Sequence, residues 1–237
     1  MSVTRFTLLS AARSGTSLVM RTLETHPDIW AAGEIFHSNP EWHLPPELTV
    51  PDQIRIRDID PTNFVDKVFL FGATKKATGF KMWYDQNPVA AEYVLKNPDI
   101  KKIILSRTNK LATYSSGFAA EKSGIWNVHA KDANNYVPPY VFFSEESFDK
   151  HVAHHEALFN LYRNGSVGDV LNLTYSELTR SGCGRILTFL GVSEIEIKPQ
   201  THRLLSENIL DRFHPEARDR VVRHLTKIGR LEWLEAE

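Results

Sequence analysis

The stretch from Phe6 to Leu23 constrains the fold of this chain more than any other. Phe6, Leu8 and Leu9 form a short apolar run, which predicts a buried strand. From Thr16 onward the apolar residues recur at helical spacing, which predicts a helix. Between the two lies a turn of small and polar residues: Ser10, Ala11, Ala12, Arg13, Ser14 and Gly15. The predicted order is therefore a strand, a tight turn and a helix N-terminus.

Such a turn suits a bound anion. The first N–H groups of a helix have no intrahelical partner, and the helix dipole adds positive charge at the same end. Gly15 lets a ligand approach the backbone, and Arg13 adds a full positive charge. Hydroxyl groups are supplied by Ser14, Thr16 and Ser17. We expect a phosphate or sulfate group to bind here. The alternative is an ordinary capped connection between a strand and a helix.

The turn differs from a Walker A motif. That motif carries two glycines and places a Lys–Ser/Thr pair after the second. Here Gly15 is the single glycine of the turn, and the charged residue, Arg13, precedes it. The sequence also offers no magnesium-binding carboxylate beside the turn. A P-loop kinase or another nucleotide phosphotransferase on the same fold is therefore the less favoured alternative.

Composition narrows the class of protein. The chain has 237 residues, which fits one domain spanning residues 1–237. A net charge of −1 and 42% hydrophobic residues are typical of a globular protein without a nucleic-acid partner. The single cysteine, Cys183, excludes an intrachain disulfide and fits a reducing compartment. No apolar run approaches the roughly 18 residues of a membrane span, and the chain begins with a strand rather than a signal peptide. We therefore expect a cytoplasmic protein without a transmembrane segment.

The remaining elements predict an α/β fold. Further strands are predicted at Ile29–Ala32, Gly79–Tyr84, Lys102–Ser106 and Val170–Tyr175. Helices are predicted between and after them, beginning at Asn63, Pro88, Asn109, Phe148, Leu178 and Pro215. Strands that alternate with helices favour a central parallel sheet flanked by helices. The proline-rich residues 37–62 and the aromatic-rich residues 123–147 predict two long loops.

A second basic residue follows a predicted central strand. Arg107 comes directly after Ser106, and Ser115 follows eight residues later on the next helix. Ligands of open α/β sheets bind beyond the carboxyl ends of the strands, so Arg107 is expected at the same sheet edge as Arg13. A guanidinium group offers a planar fork for a phosphate, and a serine hydroxyl can assist it. Two anion sites on one edge suit a nucleotide with two separated phosphate groups.

These segments resemble the sulfotransferases that use 3′-phosphoadenosine 5′-phosphosulfate (PAPS). The turn Ala12–Leu18 resembles the 5′-phosphosulfate loop of that family. Ile103–Arg107 followed by Ser115 looks like its 3′-phosphate site. Leu173–Leu178 is similar to its Tyr-Glu-x-Leu element, with one residue inserted between Tyr and Glu. The resemblance implies the sulfotransferase fold, which is like that of the P-loop NTPases.

Two further segments resemble one branch of the family. His26-Pro27 followed by Gly33-Glu34 is similar to the bacterial carbohydrate branch, which includes nodulation-factor and trehalose sulfotransferases. Gly79–Trp83 resembles the same branch. The resemblance implies transfer of a sulfuryl group from PAPS to an acceptor hydroxyl of a carbohydrate, a glycolipid or another small alcohol. It implies no metal ion.

The resemblance also assigns roles to the two anion sites. Arg13 would lie at the bridging oxygen, where charge develops on the leaving group, and would act electrostatically. The 5′-phosphate would be held by the loop residues Ser14, Gly15, Thr16 and Ser17, mainly through backbone N–H groups. The 3′-phosphate would be held by Arg107 and Ser115.

An acceptor hydroxyl needs a general base. In the bacterial carbohydrate branch, a glutamate that matches Glu34 has that role. The alternatives are that Glu34 is a turn carboxylate paired with a nearby Lys or Arg, or that His37 is the base because of its near-neutral pKa. Lys81 is expected near the same region, either at the sulfuryl oxygens or as a solvated strand-end lysine. A non-catalytic nucleotide binder is a further alternative.

Several other residues carry weaker signals. His151, His154 and His155 share a predicted helix, but the His-Glu-x-x-His pattern of metalloproteases is absent, so we favour a partly exposed polar face over a metal site. Arg203 is a late basic residue that resembles a nucleotide contact of relatives. Aromatic residues of the second loop suit either stacking on an acceptor or loop packing: Trp126, Tyr136 and Tyr140.

Overall fold

Five parallel strands form the centre of the computed structural model, which describes residues 3–126, 137–195, 205–206 and 208–236. The strands lie in the order β2-β3-β1-β4-β5. Their bounds are Thr4–Leu9 (β1), Ile29–Glu34 (β2), Ala77–Met82 (β3), Ile100–Ser106 (β4) and Val170–Thr174 (β5). The expected α/β fold with a central parallel sheet flanked by helices is confirmed.

The register of the strands aligns their carboxyl ends. Leu9 pairs with Met82 of β3 on one side and with Ile104 of β4 on the other. On the outer side of β3, the pairing with β2 shifts by one residue, so that Glu34 lies opposite Lys81. This shift is a β-bulge, a feature that re-aims side chains near functional sites.

Ten α-helices are present in the described residues. They are Thr16–Glu24 (α1), Pro46–Thr49 (α2), Pro51–Ile59 (α3), Pro61–Phe71 (α4), Pro88–Lys96 (α5), Lys110–Ser123 (α6), Glu145–Gly165 (α7), Tyr175–Ser181 (α8), Gly184–Leu190 (α9) and Pro215–Ile228 (α10). Short 3-10 helices occupy Pro40–Trp42, Tyr84–Gln86, Ile209–Arg212 and Leu231–Leu234. No helix among the described residues combines the length and apolarity that crossing a bilayer requires.

Alternate strand residues enter two apolar layers. Leu9 and Ile104 pack with side chains of α4, α5 and α7 on one face of the sheet. Leu8 and Ile103 pack with α1, α8 and α9 on the other face. Burying both faces gives the near-continuous apolar runs that made β1 and β4 recognisable in the sequence.

A third apolar cluster joins α6, α7 and α10. At its edge the buried His224 of α10 lies between two carboxylates of α7. Its Nδ1 is 3.1 Å from Glu145 Oε2, and its Nε2 is 2.7 Å from Asp149 Oδ1. This imidazole therefore connects the C-terminal helix to the first turns of α7.

The predicted loop over residues 37–62 is wrong, because α2, α3 and the start of α4 lie there. Pro46, Pro51 and Pro61 each occupy the first turn of a helix. Proline is tolerated at that position because the first N–H groups have no partner to lose. The predicted helix start at Asn63 is also wrong, since α4 begins at Pro61 and the Asp60 side chain caps it by accepting a hydrogen bond from the Asn63 N–H.

Some predicted boundaries also differ from the structure. Tyr175 begins α8 instead of ending β5. The predicted helix Leu178–Leu190 is two helices, which separate at Gly182, where φ is +64°. Of the predicted loop 123–147, residues 127–136 and hence Tyr136 lie outside the described residues, and α7 already begins at Glu145.

Candidate functional site

The turn between β1 and α1 has an unusual backbone. Arg13 has a φ of +65°, the only positive value at a non-glycine position among the described residues, and Gly15 has a φ of +92°. The Leu18 N–H is the first to bond the Gly15 carbonyl, so the N–H groups of Thr16 and Ser17 lie at the open end of the helix. A strained backbone persists only where the surrounding structure holds it in place, and such residues cluster at binding sites. The positive φ values and the N–H groups at the helix end therefore give this turn the geometry of an anion site.

Ser14 is a second indication of a ligand-binding site at this turn. Its side chain is fully buried, and its Oγ has no hydrogen-bond partner among the described residues. An unpaired buried hydroxyl is costly, so its presence calls for a reason such as an absent ligand. The predicted loop residues thus lie together at the N-terminus of α1, with Gly15 as its N-cap.

The Arg13 guanidinium group reaches α6. Its Nε donates to Ser116 Oγ at 2.8 Å, and its Nη1 donates to the Trp126 carbonyl at 2.6 Å. Ser116 follows Ser115, which lies fully buried in the same helix. The side chain of the first predicted anion site therefore contacts the helix that carries part of the second.

Tyr175 connects the two predicted anion sites. The Arg107 guanidinium carbon lies 4.5 Å from the centre of the Tyr175 ring, a cation–π contact. The same ring packs on Gly15, where an added Cβ would lie 2.5 Å from Tyr175 Cδ2. Arg107 and the Arg13 turn thus share one edge of the sheet, as their strand positions predicted.

The second site includes an arginine that the sequence did not indicate. Arg212, at the end of a 3-10 helix, is 6% exposed, and its Nη1 donates to Ser115 Oγ at 3.3 Å. Its Nε and Nη2 donate to the Ser206 carbonyl. Ser206 and Arg212 are distant in sequence from Ser115, so no local pattern could have placed them together. Arg203, the late basic residue that was predicted, lies outside the described residues.

Glu34 forms a buried ion pair. Its Oε1 is 2.9 Å from Lys81 Nζ, and its Oε2 accepts a hydrogen bond from Gln86 Nε2 at 2.7 Å. Burial raises the pKa of Glu34, but the adjacent Lys81 ammonium outweighs it, and the pKa lies below its ordinary value. Lys81 Nζ also donates to Ser17 Oγ at 3.3 Å. Lys81 is therefore not a solvated strand-end lysine, and it joins the carboxylate to the first turn of α1.

Two histidines lie beside this carboxylate. Ligand atoms of Glu34, His37 and His43 are within 4.8 Å of one another. Burial lowers the pKa of His43 to about 4, so its ring is neutral at pH 7. Lys81 and Gln86 already contact the two Glu34 oxygens, so a metal ion held here would lie beside the Lys81 ammonium group, whose positive charge opposes it.

The histidines of α7 are placed differently from each other. His154 is exposed and lies 3.2 Å from Asp85 Oδ2. His151 and His155 face inward, where burial lowers their pKa values to about 4 and about 3. The prediction of a partly exposed polar face therefore holds for His154 and is wrong for His155, which is 4% exposed.

No protein-family model and no curated protein sequence matches this chain. Among solved structures, a sulfotransferase from Alicyclobacillus acidocaldarius is similar, with 19% identity, a TM-score of 0.53, and coverage of 98% of this chain and 99% of that one. A mouse sulfotransferase, SULT7A1, solved in complex with PAP, has 15% identity and a TM-score of 0.49, with 95% and 84% coverage. The chain therefore shares its fold with the Alicyclobacillus acidocaldarius sulfotransferase.

Proposed function

We propose that this chain is a PAPS-dependent sulfotransferase that moves a sulfuryl group to an acceptor hydroxyl. The observation that carries the proposal is the packing of Tyr175 against both Gly15 and Arg107. A nucleotide with phosphate groups at two positions requires two neighbouring anion sites, and the shared contact of Gly15 and Arg107 with one ring supports that arrangement. The fold shared with the Alicyclobacillus acidocaldarius sulfotransferase supports the same reaction class.

Each of the two proposed anion sites would bind one phosphate group of the donor. Backbone N–H groups of Gly15, Thr16 and Ser17, with the buried Ser14 hydroxyl, would hold the 5′-phosphate. Arg107 and Ser115 would hold the 3′-phosphate. Arg212 donates to Ser115 Oγ, so it adds a second positive charge at that site.

The transfer is an in-line exchange of one sulfur–oxygen bond for another. The bond between sulfur and the acceptor oxygen forms while the bond between sulfur and the 5′-phosphate oxygen breaks. Arg13 stabilises the charge that develops on the leaving oxygen. The acceptor proton passes to Glu34, and Lys81 stabilises the sulfuryl oxygens. As in phosphoryl transfer, the protein acts mainly by positioning and by neutralising charge.

Glu34 is the proposed base in spite of its lowered pKa. Its pairing with Lys81 keeps the carboxylate ionised and in place before the donor binds. Lys81 also contacts Ser17 beside the proposed donor site. The negative charge of a bound donor would therefore compete with the Glu34 carboxylate for the Lys81 ammonium group. Loss of that partner raises the basicity of the carboxylate when a base is needed.

Ligand-dependent stability tests the donor class. Ligands that bind only the folded state raise the free energy of unfolding, by about 2.7 kcal/mol at 100 times the dissociation constant. We expect adenosine 3′,5′-bisphosphate to raise the melting temperature, and ATP with magnesium to have little effect. Stabilisation by ATP with magnesium alone would instead favour a nucleotide phosphotransferase. Bisphosphate binding without transfer to any hydroxyl would favour a non-catalytic binder.

A further inference from the structure

Gln86 lies beside the Glu34 carboxylate. It is the last residue of the 3-10 helix Tyr84–Gln86, which follows β3. Its Oε1 accepts a hydrogen bond from the Trp83 N–H at 3.1 Å, and its Nε2 donates to Glu34 Oε2 at 2.7 Å. A backbone N–H can only donate, so the amide oxygen must face Trp83. The amide nitrogen therefore faces Glu34, and the orientation of this side chain is fixed.

The segment that carries Gln86 is tied to the start of the β1–α1 turn. The Tyr84 N–H donates to Tyr162 Oη at 2.9 Å, and Tyr162 Oη donates to the Ser10 carbonyl at 3.0 Å. Tyr162 is fully buried. On the other side of Gln86, the Asn87 side chain caps the first turn of α5. The backbone of Gln86 is thus held relative to both the β1–α1 turn and α5.

The two oxygens of Glu34 have partners of different kinds. Lys81 Nζ lies 2.9 Å from Oε1 and also donates to Ser17 Oγ in the first turn of α1. Lys81 therefore contacts both the carboxylate and the proposed donor site. Gln86, at Oε2, makes its second hydrogen bond with the Trp83 N–H instead. A bound donor that attracts Lys81 would thus leave the hydrogen bond from Gln86 to Glu34 in place.

Lys81 and Gln86 affect the basicity of Glu34 unequally. Burial raises the pKa of Glu34, and the Lys81 ammonium and the Gln86 hydrogen bond lower it. Of these two donors, the charged one forms the stronger bond. His43 also lies beside this carboxylate, and burial lowers its pKa to about 4, so its ring is neutral at pH 7. A carboxylate that loses Lys81 but keeps Gln86 therefore gains basicity without losing its orientation.

We propose that Gln86 is a positioning residue for the proposed base: its amide holds Glu34 Oε2, so that Oε1 faces the acceptor hydroxyl when Lys81 turns to the donor. This role rests on the proposed function, because it needs a reaction in which Glu34 takes a proton. Gln86 acts through Glu34 and exchanges no proton itself. Its contribution is geometric, since misplacing a reacting group by about 1 Å lowers a rate by as much as about 100-fold.

Two substitutions separate the two hydrogen bonds of Gln86. Gln86→Glu keeps an oxygen for the Trp83 N–H but replaces the donor to Glu34 with a second acceptor, whereas Gln86→Leu removes both bonds. A purely structural role in the turn is therefore preserved in Gln86→Glu. Gln53→Leu is the matched control, since Gln53 lies in α3 and its Oε1 has no hydrogen-bond partner among the described residues.

The experiment measures conversion of PAPS to adenosine 3′,5′-bisphosphate against pH by the full chain of each variant, with water and glycerol as acceptor probes. We expect both Gln86 variants to lower the rate at saturating PAPS by about 10-fold to 100-fold, while KM for PAPS and bisphosphate binding stay near the wild-type values. Gln53→Leu should match the wild type.

Two further readouts distinguish positioning from a structural role. Adjacent carboxylates raise the pKa of the pair, so the acidic limb of the pH–rate profile should move up by about one unit or more in Gln86→Glu. If Gln86 acts through Glu34, Gln86→Leu should have no further effect on the rate in the Glu34→Gln background.

The outcomes separate this inference from the proposed function. A wild-type rate and pH profile in Gln86→Glu overturns the inference, as does an equal loss from Gln86→Leu with and without Glu34. If the wild-type chain converts no PAPS, the proposed function fails, and NMR titration of the Glu34 carboxyl carbon tests Gln86 separately. A Glu34 pKa that rises in Gln86→Leu but not in Gln53→Leu supports the hold of Gln86 on this carboxylate, and equal pKa values overturn it.

Discussion

Gly15 carries two separate constraints, and Gly15→Ala should show both. Its φ of +92° is strained for any L side chain, at a cost of roughly 1–2 kcal/mol. Its Cβ would also lie 2.5 Å from Tyr175 Cδ2 and 2.7 Å from Cε2, so the ring has to move. Displacing a packed ring adds about 1–3 kcal/mol. The expected loss of unfolding free energy is therefore roughly 2–5 kcal/mol.

The matched control is Gly191→Ala. Gly191 has a φ of +73°, but a Cβ there would meet nothing within 4 Å, so only the backbone cost of roughly 1–2 kcal/mol applies. The difference between the two variants isolates the contact with Tyr175. The double variant Gly15→Ala/Tyr175→Ala removes the clash, and a double-mutant cycle measures the coupling between the two positions.

The free energy of unfolding of each variant is measured by urea denaturation, and variants with the same m-value are compared. Because Tyr175 also contacts Arg107, we expect Gly15→Ala to weaken adenosine 3′,5′-bisphosphate binding, whereas Gly191→Ala leaves it unchanged. Equal destabilisation by Gly15→Ala and Gly191→Ala would refute the reasoning, because the Tyr175 ring would then impose no constraint. Normal bisphosphate binding by a destabilised Gly15→Ala would separate the turn from the donor site.

Three further predictions follow from buried charged or titratable groups. Glu34→Gln should reduce sulfuryl transfer by about 100-fold or more while bisphosphate binding stays near normal; transfer at the wild-type rate would remove Glu34 from the mechanism. His224→Phe should lower the urea midpoint by the equivalent of about 2 kcal/mol, since hydrogen bonds to Glu145 and Asp149 are lost, and exposed His154→Ala is the control. His151 and His155 have folded-state pKa values of about 4 and about 3, below the ordinary 6.5, so unfolded chains take up protons first as the pH falls. Stability measured by urea unfolding should therefore be full above pH 6.5 and fall toward pH 4, by up to about 1.4 kcal/mol per pH unit for each histidine, and His155→Phe should reduce that slope.

Local signals predicted the parts of the fold that position the proposed donor site. The apolar run of β1, the glycine in the turn and the helical spacing after Thr16 all concern neighbouring residues. Arg107 was expected at the same sheet edge as Arg13 because the carboxyl ends of parallel strands lie at one edge, and Tyr175 contacts both Arg107 and Gly15 there. The prolines of residues 37–62 were misinterpreted as loop residues, since the sequence does not show whether a proline stands at the first turn of a helix.

Local sequence patterns could not predict the long-range contacts of the candidate site. Arg212 meets Ser115 only through the tertiary fold, and the ion pair of Glu34 with Lys81 depends on a shift in strand register. The burial of His155 likewise depends on which face of α7 meets the rest of the protein. Their spacing in the sequence groups His151, His154 and His155 together. In the structure, His151 and His155 are neutral rings that face inward, whereas His154 is exposed.

The hydrogen bond from Arg13 to the Trp126 carbonyl has a kinetic consequence. In the proposed function the same guanidinium group serves the leaving oxygen of the donor, and Arg13 and Trp126 also line a cleft of about 310 Å³ between the β1–α1 turn, α6 and α7. If Arg13 turns toward a bound donor as proposed, its hydrogen bond to the Trp126 carbonyl changes, and the shape of the cleft changes with it. We therefore expect compulsory-order addition, in which the nucleotide enters first and the alcohol follows.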